Sequence, residues 1–317
     1  MEWKAYYDNE LRQPGRRELL SQWLQKAAAD ASFGSGLSQR TVLSFPHTAM
    51  EYSGPLQARV VSWLYQRGFK RVIALGVVHG SLSSPYRVAV DIHASSAERE
   101  AAICDVSGGF IPAEEHAQTP FGKLELEASA ALYSGTIRTP SPRLLEREFS
   151  LDTFLSVLRL AADVYQRPPL RVIPMYVGMM RHPITGSFEM SAALGEELNK
   201  LWDSETAIVA TGDVVHYGDF YGATDEGSKC ESLTCLFREH LEHLLATAFV
   251  DRDFSAAYQT SRDIMKSDQR EILPALMHLL GDGARAEVMA FELSDYARIL
   301  ETPPPCLVAS ALISYKA

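Results

Sequence analysis

Phe45-Pro46-His47-Thr48-Ala49-Met50-Glu51-Tyr52-Ser53-Gly54 follows a short apolar run, Thr41-Val42-Leu43-Ser44, and leads into a helical pattern that begins at Pro55. A strand that stops on Pro-His and turns into a helix leaves its histidine at the carboxyl edge of a sheet. That edge is where open α/β sheets bind their ligands. The pattern recurs twice. Val72-Ile73-Ala74-Leu75-Gly76-Val77-Val78 ends on His79-Gly80, and Ala207-Ile208-Val209-Ala210-Thr211-Gly212 ends on Asp213 and delivers His216. Three apolar strands that each finish on or near a histidine are hard to explain by core packing alone.

Outward from these strands the chain alternates strand and helix from end to end. Leu56, Val60, Val61, Leu64 and Tyr65 form one apolar helical face, ended by Gly68 as a left-handed cap would end it. Earlier, Leu19, Leu20, Trp23 and Leu24 give another such stripe, and Gly34, Ser35 and Gly36 make a flexible connection to the first strand. Leu151–Tyr165 reads as a helix, Leu170–Val177 as a buried strand, and Glu189–Trp202 and Leu233–Phe249 as helices. Shorter helical patterns follow at Phe254–Tyr258 and Glu271–Leu280, and Glu287–Leu293 and Cys306–Tyr315 read as final strands. Val88-Ala89-Val90-Asp91-Ile92-His93 alternates as a strand would, and residues 94–118, rich in Ala and Glu, read as an insertion, a lid or a contact between copies of the chain. No polar linker interrupts the pattern. The expectation is therefore one α/β domain over residues 1–317, with a mostly parallel or mixed central sheet and helices on both faces.

Composition narrows the function classes. The 317 residues carry a formal net charge of −10, which disfavours nucleic acid and anionic membrane as partners. Mean hydropathy is −0.09 and no run reaches the ~18 apolar residues of a spanning helix. Met1-Glu2-Trp3-Lys4 has no apolar leader core, and Cys104, Cys230, Cys235 and Cys306 form no C-x-x-C pair. A cytoplasmic protein with free thiols and a small-molecule partner is expected.

His47, His79 and His216 sit at strand ends beside turn chemistry, within reach of a common ion. Two histidines and one carboxylate bind a first-row metal and leave positions open for substrate and O2. Asp213 offers a ligand, orients a ring nitrogen from behind, or caps its turn. Gly212 and Gly218 flank this segment as residues of a tight loop would. The remaining histidines have plainer readings: His240 and His243 lie on a solvated helix face beside Glu239 and Glu242, His278 is a boundary residue, and His93, His116 and His182 are loop residues.

The order Pro46-His47…Tyr52-Ser53-Gly54-Pro55, Leu75-Gly76-x-x-His79, Ile173-Pro174-Met175-Tyr176-Val177-Gly178 and Thr211-Gly212-Asp213-x-x-His216-Tyr217-Gly218 resembles the Memo family. The N-terminal helix, Thr119-Pro120-x-Gly122 and Ala309-Ser310-Ala311-Leu312 extend the likeness over nearly the whole chain. That family is similar in fold to class III extradiol dioxygenases of the protocatechuate 4,5-dioxygenase type, which hold Fe(II) with two histidines and a glutamate. The resemblance implies His47 and His79 as metal ligands and His216 as acid/base. The chain departs from the family at two places. Where Memo proteins carry Glu-His-Ser-Ile-Glu, this chain has Glu148-Phe149-Ser150-Leu151-Asp152, so a site histidine has become Phe149. Where they place a cysteine near the metal, it has Met265-Lys266-Ser267-Asp268-Gln269-Arg270-Glu271. Asp268 or Glu271 would there restore a hard oxygen ligand suited to Fe(II). The plainer reading makes Asp268 a helix cap and Glu271 the far half of a capping box.

The leading expectation is thus a non-haem Fe(II) dioxygenase, with Cu or Zn as other metals, acting with O2 on a catechol- or aminophenol-like substrate. Met50, Glu51, Tyr52, Phe149, Phe154 and Tyr217 are expected to line its pocket, and His216 and Asp213 to carry its proton chemistry. A non-enzymatic metal- or peptide-binding module and a metal-dependent hydrolase are the alternatives.

Overall fold

Thr41–Phe45 forms β1, buried at every residue, and a strand buried on both faces needs partners on both edges. On one side β1 runs parallel to β8 (Thr206–Thr211), and on the other antiparallel to β11 (Leu307–Lys316). Beyond β8 follow β2 (Arg71–Val77) and β7 (Arg171–Val177), both parallel. The outer edges are antiparallel: β10 (Arg285–Asp295) on β11, and β3 (Gly109–Phe110) on β7. β6 (Ile137–Arg138) ends the sheet beside β3, and β9 (Val215–Tyr217) pairs with the far end of β11. The computed structural model describes residues 2–30, 32–79, 84–127, 132–140, 148–223 and 232–317. Gly80 and Cys230 lie outside them.

Side chains of the central strands alternate between two apolar layers, as the two-residue pleat requires. Leu43, Phe45, Val72 and Ala74 face helices α2 (Arg16–Ala29), α3 (Met50–Gln66) and α6 (Asp152–Tyr165). Val42, Ile73, Leu75 and Ile208 face α7 (Glu189–Leu201), α8 (Leu233–Phe249) and α10 (Ile272–Leu280). Helices therefore cover both faces of a mixed α/β sheet, as the hydrophobic pattern implied. The parallel run β1, β8 and β2 brings His47, Asp213 and His79 to one edge. Among the described residues, no helix is long and apolar enough to cross a membrane.

One local expectation is corrected. Val88–His93 is not a strand: Ser84–Val90 forms the helix α4, and Ile92 follows it in a turn, 79% exposed. The alternation of Val88, Val90 and Ile92 has no sheet to pack on; the residue of α4 that is buried is Ala89. Residues 94–118, read as an insertion, hold regular structure. Ser96–Val106 forms α5, opened by a capping box in which Ser95 and Glu98 each bond the other's backbone N–H. The chain then enters the sheet as β3, and Met179 N–H donates to Val106 O at 2.8 Å. Ser95→Ala is expected to cost about 1 kcal/mol, read as a small fall in the thermal midpoint. An unchanged midpoint would mean that packing alone holds α5.

Candidate metal centre

Each histidine at the sheet edge is gripped through one ring nitrogen and offers the other. His47 stands two residues past β1, with the carbonyl of Pro46 held by Gln57 Nε2 at 3.0 Å. Its Nδ1 meets Thr211 Oγ1 at the end of β8, 3.3 Å away. His79, two residues past β2, faces Glu148: Nδ1 lies 3.0 Å from Oε1, and the His79 N–H donates to Oε2 at 2.7 Å. Glu148 also accepts the N–H groups of Phe149 and Ser150 at 2.8 and 2.9 Å. Ser150 in turn bonds the N–H and carbonyl of Val77, tying this turn to the end of β2. His216 lies in β9 opposite Val308, and its Nδ1 donates to Lys266 O at 2.8 Å. Lys266 adopts a left-handed backbone (φ 50), which aims that carbonyl at His216 for roughly 1–2 kcal/mol of strain.

Asp268 is delivered to the middle of these rings by a single turn, Asp268–Arg270, capped by Ser267. The Asp268 N–H donates to Asp213 O at 3.0 Å. Ser267 Oγ accepts from Gln269 N–H at 3.1 Å and donates to Asp213 O at 3.2 Å. Gly212 permits this close approach. A Cβ on it, at φ 152, would sit 2.6 Å from Gln269 Cγ. Asp268 Oδ2 is then 3.3 Å from His47 Nε2, 3.8 Å from His79 Nε2 and 3.7 Å from His216 Nε2. Asp213, buried on the other side, has Oδ2 3.8 Å from His47 Nε2, while its Oδ1 has no hydrogen-bond partner among the described residues. One set of ligand atoms is His47, His79 and Asp268; another is Asp213, His216 and Asp268. Within each set the atoms lie within 4.8 Å of one another.

The carboxylates and imidazoles of the site shift one another's ionisation strongly. Burial, reinforced by neighbouring Asp268, pushes the Asp213 carboxyl well above its usual range. Burial acts upward on Asp268 too, but His216, His47 and His79 outweigh it and hold that carboxyl well below. Burial lowers His47. For His79, burial acts downward, yet the charge of Glu148 and bonds to Asp268 and Glu148 carry the imidazole up to about 10. Glu148 mirrors it at about 2, with His79 overcoming the upward push of burial. A divalent cation fits this donor set. It would take Nε2 of His47 and of His79, whose opposite nitrogens are already engaged, together with Asp268 Oδ2.

Several expected residues stand elsewhere. Glu271 is not in the cluster: its carboxylate accepts Met180 N–H at 2.8 Å and the Tyr258 hydroxyl at 2.7 Å. Ser267, not Asp268, is the cap, so the plainer capping-box reading of Asp268 and Glu271 also fails. Met50 is fully buried in the core, Glu51 is exposed on the first turn of α3, and Tyr52 packs against Tyr296. Tyr217 packs against Phe237 on the opposite side of its strand from His216, and Phe154 stacks on Phe45 in the core. Phe149 does line the site, stacked on His79 at 4.3 Å and 17°. The remaining walls were not foreseen. Trp3 and Tyr7 come from helix α1 (Trp3–Leu11), and Tyr221 and Tyr296 complete a cavity of about 240 Å³. The spacing of Trp3, Tyr6 and Tyr7 is the i, i+3, i+4 signal that marks such a face.

Fold and site together define a class: a mixed α/β protein whose carboxyl sheet edge gathers three imidazoles and two carboxylates under an aromatic roof. No family model matches the chain. A protein described as a MEMO1 family protein, from Thermococcus onnurineus (strain NA1), is 24% identical over 223 residues, covering 68% of this chain. The match spans 66% of that relative's own length, just under two thirds. The motif resemblance to the Memo family is thus joined by a sequence likeness to one protein described as belonging to it. A solved structure of an uncharacterized protein from Escherichia coli K12 aligns over 88% of this chain and 100% of its own, at 12% identity and a TM-score of 0.45. That likeness is too low to bear on the site.

Proposed function

We propose that this chain is a mononuclear non-haem Fe(II) oxygenase that acts with O2 on a small, single-ring aromatic substrate. The observation that carries the reading is the convergence of His47 Nε2, His79 Nε2 and Asp268 Oδ2 with each imidazole's Nδ1 already engaged. Two imidazoles and a carboxylate are the donor set of Fe(II) oxygenases, and the motif resemblance to the Memo family supports the reading. Bound there, the metal would bring electron density to O2 and orient both reactants. The chain's own residues supply the rest. His216, with Nδ1–H on the Lys266 carbonyl, leaves Nε2 as the acceptor for a substrate hydroxyl proton and as the group that returns it. Asp213, pushed toward its neutral form by burial and by Asp268, stands beside His47. Phe149, Tyr7 and Tyr296 line the cavity of about 240 Å³ with aromatic surface on which a small ring could pack.

Anaerobic purification followed by metal analysis tests this reading. The expected result is near-stoichiometric iron and oxygen uptake on addition of catechols or aminophenols. His216→Gln should retain the iron and lose roughly a hundredfold or more in turnover. Stoichiometric zinc with hydrolysis that survives without oxygen would move the site to a metal-dependent hydrolase. Failure to take up any first-row metal after reconstitution would end both readings and favour a binding module.

A further inference from the structure

The two sets of ligand atoms at the sheet edge have Asp268 in common. His47, His79 and Asp268 carry the proposed iron site. Asp213, His216 and Asp268 form the other set, and its first two members take no part in holding that iron. An imidazole stands there with two carboxylates, so the set is more than a cluster of acids. Its side chains are withdrawn from solvent, His216 and Asp268 at 13% exposed and Asp213 at 1%.

Three observations fit this set to a cation of its own. His216 Nδ1 donates to Lys266 O at 2.8 Å, which leaves the lone pair on Nε2, 3.7 Å from Asp268 Oδ2. Metal-binding histidines are commonly held in this way, the far nitrogen bonded to a carbonyl or carboxylate. Asp213 Oδ1 is buried and has no hydrogen-bond partner among the described residues, and a buried polar atom in that state calls for a ligand or an ion. The backbone also fixes the two carboxylates side by side. Asp268 N–H donates to Asp213 O at 3.0 Å, and Ser267 Oγ donates to the same oxygen at 3.2 Å. A carboxylate placed between two ligand sets can bridge two ions, as in two-metal sites whose ions stand ~3.5–4 Å apart.

We propose that Asp213, His216 and the shared Asp268 bind a second divalent cation, zinc above all, and that this ion switches the centre off. The switch, though not the site, rests on the oxygenase reading above. Nε2 of His216 has one lone pair. It either receives the substrate hydroxyl proton or ligates an ion, so a filled second position leaves the reaction without its base. Zinc suits the set, because it takes imidazole nitrogen and carboxylate oxygen together and exceeds Fe(II) in affinity for such donors. The second ion binds more weakly than the first. It shares a carboxylate, meets the charge of the first ion, and has Lys266 on the same cavity wall. The position therefore fills only when metal is in excess, which makes it a brake and not part of the working centre.

Equilibrium dialysis of the metal-free protein against zinc tests the site without recourse to activity. The parent should hold two ions per chain, taken up in a tight step and a weaker one. Asp213→Asn keeps the shape of its side chain, and His216→Ala removes a ring from the cavity wall. Each should hold one ion, losing the weaker step and keeping the tighter. One ion in the parent would overturn the proposal and leave the oxygenase reading standing. Two ions in both variants would overturn it as well, by placing the second ion elsewhere. No ion in the parent would end both. The brake is read on the iron-loaded parent, with bound iron measured in the same samples. Zinc at the concentration of the weaker step should lower oxygen uptake roughly a hundredfold, the loss expected of His216→Gln, while the iron stays. Unchanged uptake, or iron lost in step with uptake, would overturn the switch. Two zinc ions in a parent that consumes no oxygen with any catechol would uphold the site and end the oxygenase reading together with the brake.

Discussion

Replacing Asp268 by alanine is expected to abolish stable metal uptake, lowering affinity by more than about a hundredfold. That is beyond the roughly 10- to 100-fold span of residues that merely support ligands. The expectation follows from geometry. Oδ2 of Asp268 lies within 3.8 Å of all three Nε2 atoms, and among the described residues no other carboxylate oxygen stands so centrally between them. Asp268 is also the carboxylate kept ionised, since the imidazoles hold it low while Asp213 is pushed up. Removing it leaves Asp213, pushed up by burial and with Oδ2 3.8 Å from His47 Nε2, as the remaining carboxylate of the two ligand sets, a poorer anchor for a hard divalent ion. Asp268→Asn keeps the shape and loses the charge, so its deficit should be smaller. The measurement is the thermal midpoint with and without added Fe(II) or Co(II) under anaerobic conditions, because a bound ion raises the midpoint with the logarithm of its affinity. A parental shift in Asp268→Ala would transfer ligation to Asp213 and sink the facial arrangement proposed here.

The legibility of this molecule follows the periodicity of its elements. Parallel strands buried on both faces announce themselves as apolar runs, and a run that stops on Pro46-His47 or on Val78-His79 fixes where its histidine goes. The same rule fails one residue further on. Met50, Glu51 and Tyr52 follow His47 closely in sequence, but they enter a helix in which successive side chains turn by about 100°, and none reaches the cavity. Tyr217 adjoins His216 in a strand, where neighbours point to opposite faces. Asp268 was legible as a ligand only together with Glu271. What separates them is Ser267, whose hydroxyl caps the turn and frees the aspartate. α5 was missed although Ser95-Ser96-Ala97-Glu98 carries the S-x-x-E signature of a capping box, because the Ala- and Glu-rich composition drew the reading instead. Glu148 left no periodic trace. Its role arises from a fold contact with His79, 69 residues away, and no local pattern encodes that.

Glu148→Ala should be the most damaging single change near the site, costing about 3 kcal/mol of stability as well as metal affinity. Truncating one partner of a buried ion pair commonly costs ~3–5 kcal/mol, and His79, still 29% exposed, places this pair at the low end. The same truncation strips the acceptor from the backbone N–H groups of His79, Phe149 and Ser150. Glu148→Gln separates charge from shape. It can still accept some of those N–H groups, but it cannot hold His79 protonated. The pH dependence follows from the two shifts. His79 rises from 6.5 to about 10, so its contribution is complete below 6.5 and lost as pH climbs through about 10. Glu148 falls from 4.5 to about 2, so its contribution is complete above 4.5 and lost as pH drops through about 2. The gap in unfolding free energy between the parent and Glu148→Gln, both metal-free, should therefore be widest between pH 4.5 and 6.5 and close toward pH 10. Denaturant titrations across that range measure it directly. A gap that stays constant with pH would mean Glu148 acts only as a hydrogen-bond acceptor for the turn, and His79 would then meet a metal as a neutral ring with no proton to displace.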